Sequence, residues 1–373
     1  MARAKVAVLR TNTKTVFADF HRLMNLVDYQ KSLSSENQTA LKINISWHYF
    51  FPACSSNPWQ LEGVIQALLK DGYNKEKIYA CHNRTVVVSA KRGERANKQK
   101  YVVNKYGLEN VHLYEGEKWV RYEPKGKIRV LHDIFPKGLH IPQRFIGSNV
   151  IHLPTMKTHV FTTITGAMKN AFGGLLHERR HWTHSVIHET LVDLLTIQKE
   201  IHPGILAVTD GTFAGDGPGP RCMTPHVKNM ILASTDQVAI DAISAKMMGF
   251  DPMSLDFIRL AHEAGLGVGR PSEIEVVGED ISKVNWHFEG QQNTLASRGQ
   301  KAIYWGPLKP LEKLLLRTAL APWSYVASWL YHDWYWYPIH GREKVIEAYK
   351  SPWGKLFKNY ERAQRSDNGF EKF

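Results

Sequence analysis

The side chains with the clearest potential for chemistry lie close together in residues 154–174, PTMKTHVFTTITGAMKNAFGG. Lys157 and His159 are two positions apart, so in an extended chain they point to the same side. Thr165 and Gly166 follow at a point where we predict that a helix begins. The free backbone N–H groups and the positive dipole end of such a helix attract anions.

The first turn of this helix is expected to carry a further cation, Lys169, and an amide, Asn170. Cationic and amide groups at one strand-to-helix junction suit a carboxylate or a phosphate. We therefore predict that these residues bind a small anionic substrate. The alternative is a capped helix whose lysines are simply solvated, since a helix start flanked by glycine is common.

A glycine-rich segment, DGTFAGDGPGPR at residues 210–221, is predicted to form a loop that faces the first segment. It follows an apolar strand that ends in Asp210. Glycines such as Gly211 allow the backbone to approach a ligand closely, and Asp216 and Arg221 add opposite charges. The loop is expected to cover a bound substrate, although an ordinary surface turn has the same composition. It matches neither GxxxxGK[ST] nor GxGxxG, so no nucleotide-binding motif is present.

Four histidines, His177, His181, His184 and His188, would share one face if a single α-helix ran through them. The string HERRH in this stretch matches the zinc-binding pattern HExxH, with Glu178 as the base. Zinc is not favoured, because the stretch is polar and the extended HExxHxxGxxH pattern is missing, and we predict no metal site. Two glutamates remain as candidate third ligands, Glu189 and Glu200.

Charge and cysteine content narrow the class of protein. The formal net charge of +13 and the pI near 9.5 favour anionic partners. Nucleic acid is not favoured, because no RNA-binding or zinc-knuckle pattern accompanies the charge.

The three separated cysteines form no CxxC pair, which predicts a reducing compartment without disulfides. With no signal sequence and no apolar stretch of about 18 residues, we predict a cytoplasmic protein without a spanning helix.

The elements that must position these residues alternate between strand and helix. Apolar strands are predicted at 4–10, 42–46, 78–82, 111–116, 148–159, 204–210, 230–235 and 274–278, and helices at 59–69, 91–106, 185–199 and 237–248. Asp236 is expected to cap the last helix and Gly249 to end it. This order predicts an α/β fold with a mostly parallel sheet and crossover helices. Such sheets bind ligands at the carboxyl ends of their strands.

The chain is predicted to contain an α/β domain at residues 1–300 and a helical, aromatic and basic appendage at residues 301–373. Residues 323–337 are about half aromatic, and several basic residues follow them. Such a composition suits docking to a membrane surface or a protein partner through residues 310–360. The alternative is that these aromatic side chains pack onto the main domain.

Three strings, LPTMKTHVFTTITGAMKNAFGG, the DG-to-GPGP segment and STDQVAIDAISAKMMG, resemble the family called domain of unknown function 362. The resemblance covers roughly residues 45–280. It implies an iron–sulfur association, because many members carry a ferredoxin-like module with closely spaced cysteines. This chain departs from that pattern, since Cys54, Cys81 and Cys222 cannot form the motif. No iron–sulfur cluster is therefore expected.

The KTH and Gly-Lys elements are also faintly similar to the N-terminal part of lactate-racemase-type proteins, where His and Lys work around an α-hydroxy acid. This similarity implies proton transfer beside a carboxylate, with His159 as the proton carrier and Lys157 and Lys169 as electrostatic stabilisers. Asp210 is expected on the other side of the cleft. The hypothesis is an intracellular enzyme for a small anionic substrate. The alternative is a non-catalytic ligand-binding or assembly factor that docks to a membrane surface or a protein partner through its C-terminal tail. In either case we expect a cytoplasmic location that includes the inner membrane face.

Overall fold

The computed structural model describes residues 4–85, 87–290, 292–318 and 321–368. These residues form an α/β fold with a helical C-terminal region, as predicted. The strands are β1 (Ala4–Arg10), β2 (Thr39–Ile43), β3 (Ile78–His82), β4 (Glu109–His112), β5 (Trp119–Tyr122), β6 (Leu139–Pro142), β7 (Asn149–Leu153), β8 (Thr155–His159), β9 (Thr163–Ile164), β10 (Ile205–Asp216), β11 (Thr224–Ser234) and β12 (Ile274–Gly278).

The α-helices are α1 (Val16–Leu26), α2 (Tyr29–Ser32), α3 (Pro58–Lys70), α4 (Ala90–Ala96), α5 (Gln99–Lys105), α6 (Leu131–Ile134), α7 (Gly166–Leu175), α8 (Ile187–Ile201), α9 (Gln237–Met248), α10 (Asp256–Glu263), α11 (Leu295–Tyr304), α12 (Glu312–Arg317), α13 (Pro322–Trp329), α14 (Arg342–Lys350) and α15 (Pro352–Asn368). Short 3₁₀ helices occur at Lys75–Lys77, Gln143–Phe145, Glu178–Val186, Pro252–Ser254, Pro271–Glu273 and Lys309–Leu311, and a π-helix at Leu330–Gly341.

The main sheet has the strand order β12-β1-β11-β10-β7-β2-β3-β4, with β8 paired to β10 and β9 to β8. The run β10-β7-β2-β3-β4 is parallel, whereas β11 pairs antiparallel with both β1 and β10. Every residue of β7, β2 and β3 is buried, as is typical of parallel strands covered by helices on both faces. The parallel strands therefore end together at one edge, beside the loops that follow them.

Local sequence signals were accurate where a cap or a turn defined the element. The predicted helix 237–248 is confirmed as α9: the Asp236 side chain accepts hydrogen bonds from the N–H groups of Val238 and Ala239, and Gly249 ends the helix with φ of 106°. The predicted strands at 78–82 and 274–278 coincide with β3 and β12.

Three local predictions were wrong. The basic helix expected at 91–106 is two helices, α4 and α5, separated at Lys98, which has a φ of 61°. The expected loop at 210–221 is mostly strand, because β10 continues to Asp216 and pairs with β11. The histidine stretch is a 3₁₀ helix from Glu178 to Val186, with three residues per turn, so its histidines do not share one α-helical face.

The C-terminal helices pack against the main sheet layer. Trp353, Phe357 and Tyr360 of α15 are buried in the same apolar cluster as Trp47 and Trp59. Within the described part of the chain, no helix is both long and apolar enough to cross a membrane.

Candidate functional site

A cavity of about 280 Å³ lies at the carboxyl ends of the parallel strands. Lys42 at the end of β2, His82 at the end of β3 and His159 at the end of β8 line it. The rest of the wall comes from α7, from residues 218–221 and from C-terminal residues between 294 and 332. Ligands of open α/β sheets bind at this edge, because the loops diverge there.

The wall of this cavity is strongly cationic. It contains Lys42, Lys169, Arg180 and Arg221 together with five histidines, and its described residues include no aspartate or glutamate. Two like charges 4 Å apart repel by roughly 4 kcal/mol at an effective dielectric constant of 20. A bound anion would compensate this repulsion, and in the described wall no protein carboxylate does so.

Two lysines of the wall have depressed pKa values. Burial lowers the pKa of Lys169 to about 7 and that of Lys42 to about 8, and neighbouring cations act in the same direction. Lys42 Nζ donates a hydrogen bond of 2.6 Å to the carbonyl oxygen of Ile43. Lys169 Nζ has no hydrogen bond or ion pair within the described residues and lies 5.0 Å from the ring centre of Phe172. Among the described residues, the ammonium group of Lys169 is therefore available to a ligand in the cavity.

The carboxylate of Glu94 holds the His82 ring through Nε2, and the other ring nitrogen, Nδ1, lies on the opposite side. Glu94 Oε2 accepts hydrogen bonds from His82 Nε2 at 2.7 Å, from His112 Nε2 at 2.9 Å and from Asn110 Nδ2 at 2.9 Å. Although burial opposes ionisation, these bonds hold the pKa of Glu94 well below its usual value. The ring proton of His82 is thus on Nε2, and its Nδ1 has no partner within the described residues. A histidine oriented in this way is a candidate general base.

The neutral rings of His159 and His184 differ in which nitrogen carries the proton. His159 Nδ1 accepts a hydrogen bond of 3.1 Å from the N–H of Phe161, so the ring proton is on Nε2 and the neutral ring is a donor. Burial and the charge of Lys169 lower the pKa of His159 well below its usual value. His184 donates from Nδ1 to the carbonyl oxygen of His181 at 2.9 Å, which leaves Nε2 as an acceptor. Burial, again with Lys169, lowers the pKa of His184 to about 3.

Several polar atoms of wall residues have no partner within the described protein. These are Thr85 Oγ1, Thr165 Oγ1 and Arg221 Nη1, in addition to His82 Nδ1. Buried polar atoms are almost always hydrogen-bonded in folded proteins. Each of these atoms is itself buried, so a polar ligand in the cavity would bond to it after a small movement of the wall.

The helix start that was expected to bind an anion is occupied by the protein itself. The carboxylate of Asp241 accepts hydrogen bonds from the N–H groups of Ala167, at 2.5 Å, and Met168, at 2.9 Å. Gly166 has a φ of 69°, and any side chain there would collide with this carboxylate. Burial raises the pKa of Asp241 to about 7. The N–H groups of Ala167 and Met168 are therefore not free to bind a substrate, which corrects the sequence-based expectation for the helix start.

Five of the predicted site residues line the cavity: His159, Thr165, Lys169, Asn170 and Arg221. The Asn170 amide does not present its NH₂ group to a ligand as expected. Its Nδ2 donates to the carbonyl oxygen of Lys42 at 2.9 Å, so its oxygen remains for the cavity.

The other five predicted residues are not part of the described cavity wall. Lys157 Nζ donates to the carbonyl oxygen of Cys54 and to Thr155 Oγ1, both at 2.8 Å. Asp210 is buried and accepts a hydrogen bond of 2.9 Å from Asn57 Nδ2. Gly166, Gly211 and Asp216 complete this group. Gly211 and Asp216 belong to β10, and the Asp216 carboxylate accepts the N–H groups of Gly217 and Glu289.

Sequence reasoning missed Lys42, His82, Arg180 and the C-terminal contribution of Tyr325 and His332. His82 ends the strand predicted at 78–82, so the rule that ligands bind at carboxyl ends points to it. Lys42 begins the strand predicted at 42–46, whereas β2 ends at Ile43, so the misplaced strand boundary concealed it. Arg180 lies inside the string HERRH, whose likeness to a zinc pattern points to its histidines and not to its arginines. No signal connected the tail to the site.

Within the described residues, the metal ligands considered from the sequence form no group that could hold an ion. His177 is exposed and contacts the ring of Trp119, and the side chain of Glu178 lies outside the described residues. A different donor set, His82, Glu94 and His112, has its ligand atoms within 4.8 Å of one another, and its chemistry suits zinc or iron(II). Its contacts of 2.7 and 2.9 Å are hydrogen-bond lengths, so this cluster is satisfied as a carboxylate with two histidine donors.

Buried lysines predict an unusual dependence of stability on pH. Burial lowers the pKa of Lys157 to about 8, against 10.5 in the unfolded chain. Between these values the unfolded state binds more protons, so the free energy of unfolding rises with pH. We expect the Lys157→Met variant to lose this contribution, giving a slope up to about 1.4 kcal/mol per pH unit smaller than that of the wild type between pH 8 and 10. Urea unfolding at several pH values measures the difference, and equal slopes would contradict it.

Comparison with known proteins places the chain in a family. The profile described as Domain of unknown function (DUF362) matches residues 39–246, more than half of the 373 residues. Thylakoid-associated protein sll1697 of Synechocystis sp. is 30% identical over 124 residues, which cover 31% of this chain and 37% of that protein. The chain thus matches less than half the length of this relative. A crystal structure of a Thermotoga maritima protein aligns with 68% of this chain and 60% of its own, at 10% identity and a TM-score of 0.36. The chain belongs to the family of domain of unknown function 362, as its motifs indicated.

Proposed function

We propose that this protein is an enzyme that transfers a proton next to the carboxylate of a small anionic substrate. The observation that carries the proposal is the cavity at the carboxyl ends of the strands. Four cationic side chains and five histidines line it, and its described wall contains no carboxylate. Its volume of about 280 Å³ is near the lower limit of small-molecule sites, roughly 300 to 1,000 Å³.

In the proposed step, His82 Nδ1 removes the proton from the carbon next to the carboxylate. The electron pair of the broken C–H bond moves into the carboxylate, which becomes a dianionic enediolate. Lys169 and Arg221 stabilise this charge, and the neutral His159 donates its Nε2–H to a substrate oxygen. Glu94 keeps the His82 ring in the required orientation. His82 then returns a proton to the carbon.

This assignment moves the base from His159 to His82 for a physical reason. His159 already uses its lone pair to accept the N–H of Phe161, whereas His82 Nδ1 has no such bond within the described residues. Lys157 and Asp210 have no direct part in the proposed step, because neither lines the cavity. The faint similarity to lactate-racemase-type proteins remains a prediction, and the proposal does not depend on it.

Binding is tested by thermal unfolding with a panel of anions: lactate, malate, citrate, glycerol phosphate and inorganic phosphate. A ligand of the folded protein at 100 times its Kd stabilises by about 2.7 kcal/mol. We expect at least one of these anions to raise the Tm of the wild type and of a control with an exposed lysine replaced, Lys199→Met. If none does, the anion site is contradicted.

Catalysis is tested by incubating the protein in D₂O with each acid that binds. A protonated His82 exchanges with solvent, so deuterium should replace the hydrogen next to the carboxylate, which ¹H NMR detects. We expect His82→Gln to slow this exchange by at least ~100-fold, the lower range for a general base, while Lys199→Met exchanges at the wild-type rate. Binding without exchange would contradict the catalytic proposal.

The second candidate function is a non-catalytic binding or assembly factor that works at a membrane surface. Two observations favour it. The relative from Synechocystis sp. is named a thylakoid-associated protein. The C-terminal region of this chain also exposes many large apolar side chains. A cytoplasmic protein that associates peripherally with a membrane is consistent with either candidate.

A further inference from the structure

The exposed apolar surface of this protein is concentrated in one part of the chain. Among the described residues, 15 large hydrophobic side chains are exposed, and 13 of them lie between Leu295 and Ile346. Single exposed apolar residues are normal in soluble proteins, but a concentrated group indicates an interaction surface. The other two, Ile146 and Val227, serve below as controls.

Helix α13 has its polar and apolar faces reversed relative to an ordinary surface helix. Its polar residues Ser324, Tyr325 and Ser328 line the internal cavity. Its apolar residues are turned outward, with Trp323 46% exposed and Val326 53% exposed. A surface helix normally buries its apolar face against the core. Among the described residues, the outward apolar face of α13 is therefore covered only in part.

The apolar surface continues into the π-helix that follows. Trp329, at the end of α13, is 43% exposed, and Trp334 is 66% exposed. Their ring centres are 5.5 Å apart, so they form one cluster across the helix boundary. Tyr335 and Ile339 extend it and are 50% and 56% exposed.

The charges around this surface are mainly positive. The exposed charged residues between 290 and 346 are Arg298, Lys309, Lys313, Arg342 and Glu343. The other two acidic residues of this range are buried and paired. Glu312 bonds to Arg317 at 2.9 Å, and Asp333 accepts the Trp47 Nε1–H at 2.6 Å. The surface therefore offers tryptophan and aliphatic side chains beside an excess of positive charge.

We propose that this surface, the outer face of residues 305–342, docks onto the interface of an anionic lipid bilayer. Tryptophan and tyrosine partition to the headgroup level, where an apolar ring and a polar N–H or O–H are both accommodated. Each basic residue near an anionic leaflet adds about 1 kcal/mol of attraction. The proposal deepens the second candidate function, and it holds whether or not the cavity is catalytic.

The docking face and the cavity share α13. Side chains of this helix alternate between the two, with Tyr325 facing the cavity and Val326 facing outward. Docking would therefore hold the cavity wall next to the lipid surface. An anionic substrate that enters or leaves the lipid surface would then be close to the cavity.

The test is co-sedimentation of the full-length protein with vesicles of phosphatidylcholine alone and with 30% phosphatidylglycerol, a composition that isolates the charge. We expect binding to the anionic vesicles, weakened at least tenfold by 0.5 M NaCl and by the triple variant Trp323→Ala, Trp329→Ala, Trp334→Ala. These side chains are exposed, so the variant should fold. The matched control, Ile146→Ala with Val227→Ala, should bind as the wild type.

Four results would overturn the proposal. The wild type could fail to bind anionic vesicles, bind neutral vesicles equally well, or bind as tightly after the triple substitution. The fourth is a stable dimer in sedimentation analysis that the triple substitution dissociates, because a second copy would then cover the face. Deuterium exchange on a soluble acid, measured without vesicles, separates the two proposals: the triple variant should retain whatever exchange the wild type shows.

Discussion

Replacing Lys169 with methionine is expected to weaken anion binding by about 10- to 100-fold and, in the same protein, to raise the stability of the unliganded state. A hydrogen bond to a charged group contributes about 1.5 to 3 kcal/mol, and every 1.4 kcal/mol is a tenfold change in affinity. Lys169 is the wall cation whose ammonium has no bond to the described protein, so its whole donor capacity is available to a ligand.

Although Lys169→Met should weaken anion binding, it should increase the free energy of unfolding of the unliganded protein. Burial of Lys169 beside other cations, which lowers its pKa to about 7, costs free energy in the folded state. Methionine has a similar length and carries no charge, so the substitution should stabilise the unliganded protein by about 1 to 3 kcal/mol at pH 6. The gain should shrink as the pH rises above 7, because Lys169 then becomes neutral in the folded protein.

Calorimetric titration and urea unfolding measure both quantities on one preparation. Lys199→Met is the control, because it removes an exposed lysine of α8 outside the cavity wall. A Lys169→Met variant that loses stability and keeps its affinity would contradict the account of this cavity. A loss of both would mean that Lys169 has a structural role instead.

The sequence revealed only part of the site, because only some of the site residues lie close together along the chain. Lys169, Asn170 and His159 were found because they cluster in one short segment. Lys42 lies in the predicted strand KINIS, where it alternates with isoleucines as Asn44 and Ser46 do, and His82 is the last residue of IYACH. Only the parallel pairing of β2 with β3 brings them together, and that pairing is a long-range property.

Local patterns also could not reveal which groups were already satisfied. The start of α7 has the composition of an anion site, but Asp241, 74 residues away in sequence from Ala167, fills it. Asp210 ends an apolar stretch, yet the strand continues because β11 is long enough to pair with it as far as Asp216. In both cases a distant partner decided the outcome, whereas the caps of α9 depended on neighbours alone and were predicted correctly.

The fold class was predictable because it follows from the order of elements. Alternation of apolar strands and helices implies a parallel sheet with crossovers, and this was confirmed for β2, β3, β4, β7 and β10. The antiparallel position of β11 between β1 and β10 was not predictable in this way. Strand direction in a mixed sheet depends on the path of the connections between strands. Hydrophobic patterns do not encode that path.

The relation of the C-terminal helices to the main body is tested by Trp353→Ala, which we expect to reduce the free energy of unfolding by about 3 to 5 kcal/mol. Trp353 is 1% exposed, its ring centre lies 5.1 Å from that of Trp59, and its Nε1 donates a 2.7 Å hydrogen bond to Asn229 Oδ1. Truncation would leave a cavity beside Trp59 and remove the donor to the partly buried Asn229 oxygen, so both changes reduce the stability.

The informative control is another tryptophan of the same C-terminal region. Trp323 is 46% exposed, so Trp323→Ala should change the free energy of unfolding by less than about 1 kcal/mol in urea unfolding. Equal effects of the two substitutions would contradict the packing of α15 on the sheet layer.

If Trp353→Ala has the larger effect, removal of the tail would expose the apolar cluster around Trp59 as well as delete the docking face. Vesicle binding must therefore be tested by surface substitutions, since truncation would change the fold and the docking surface together.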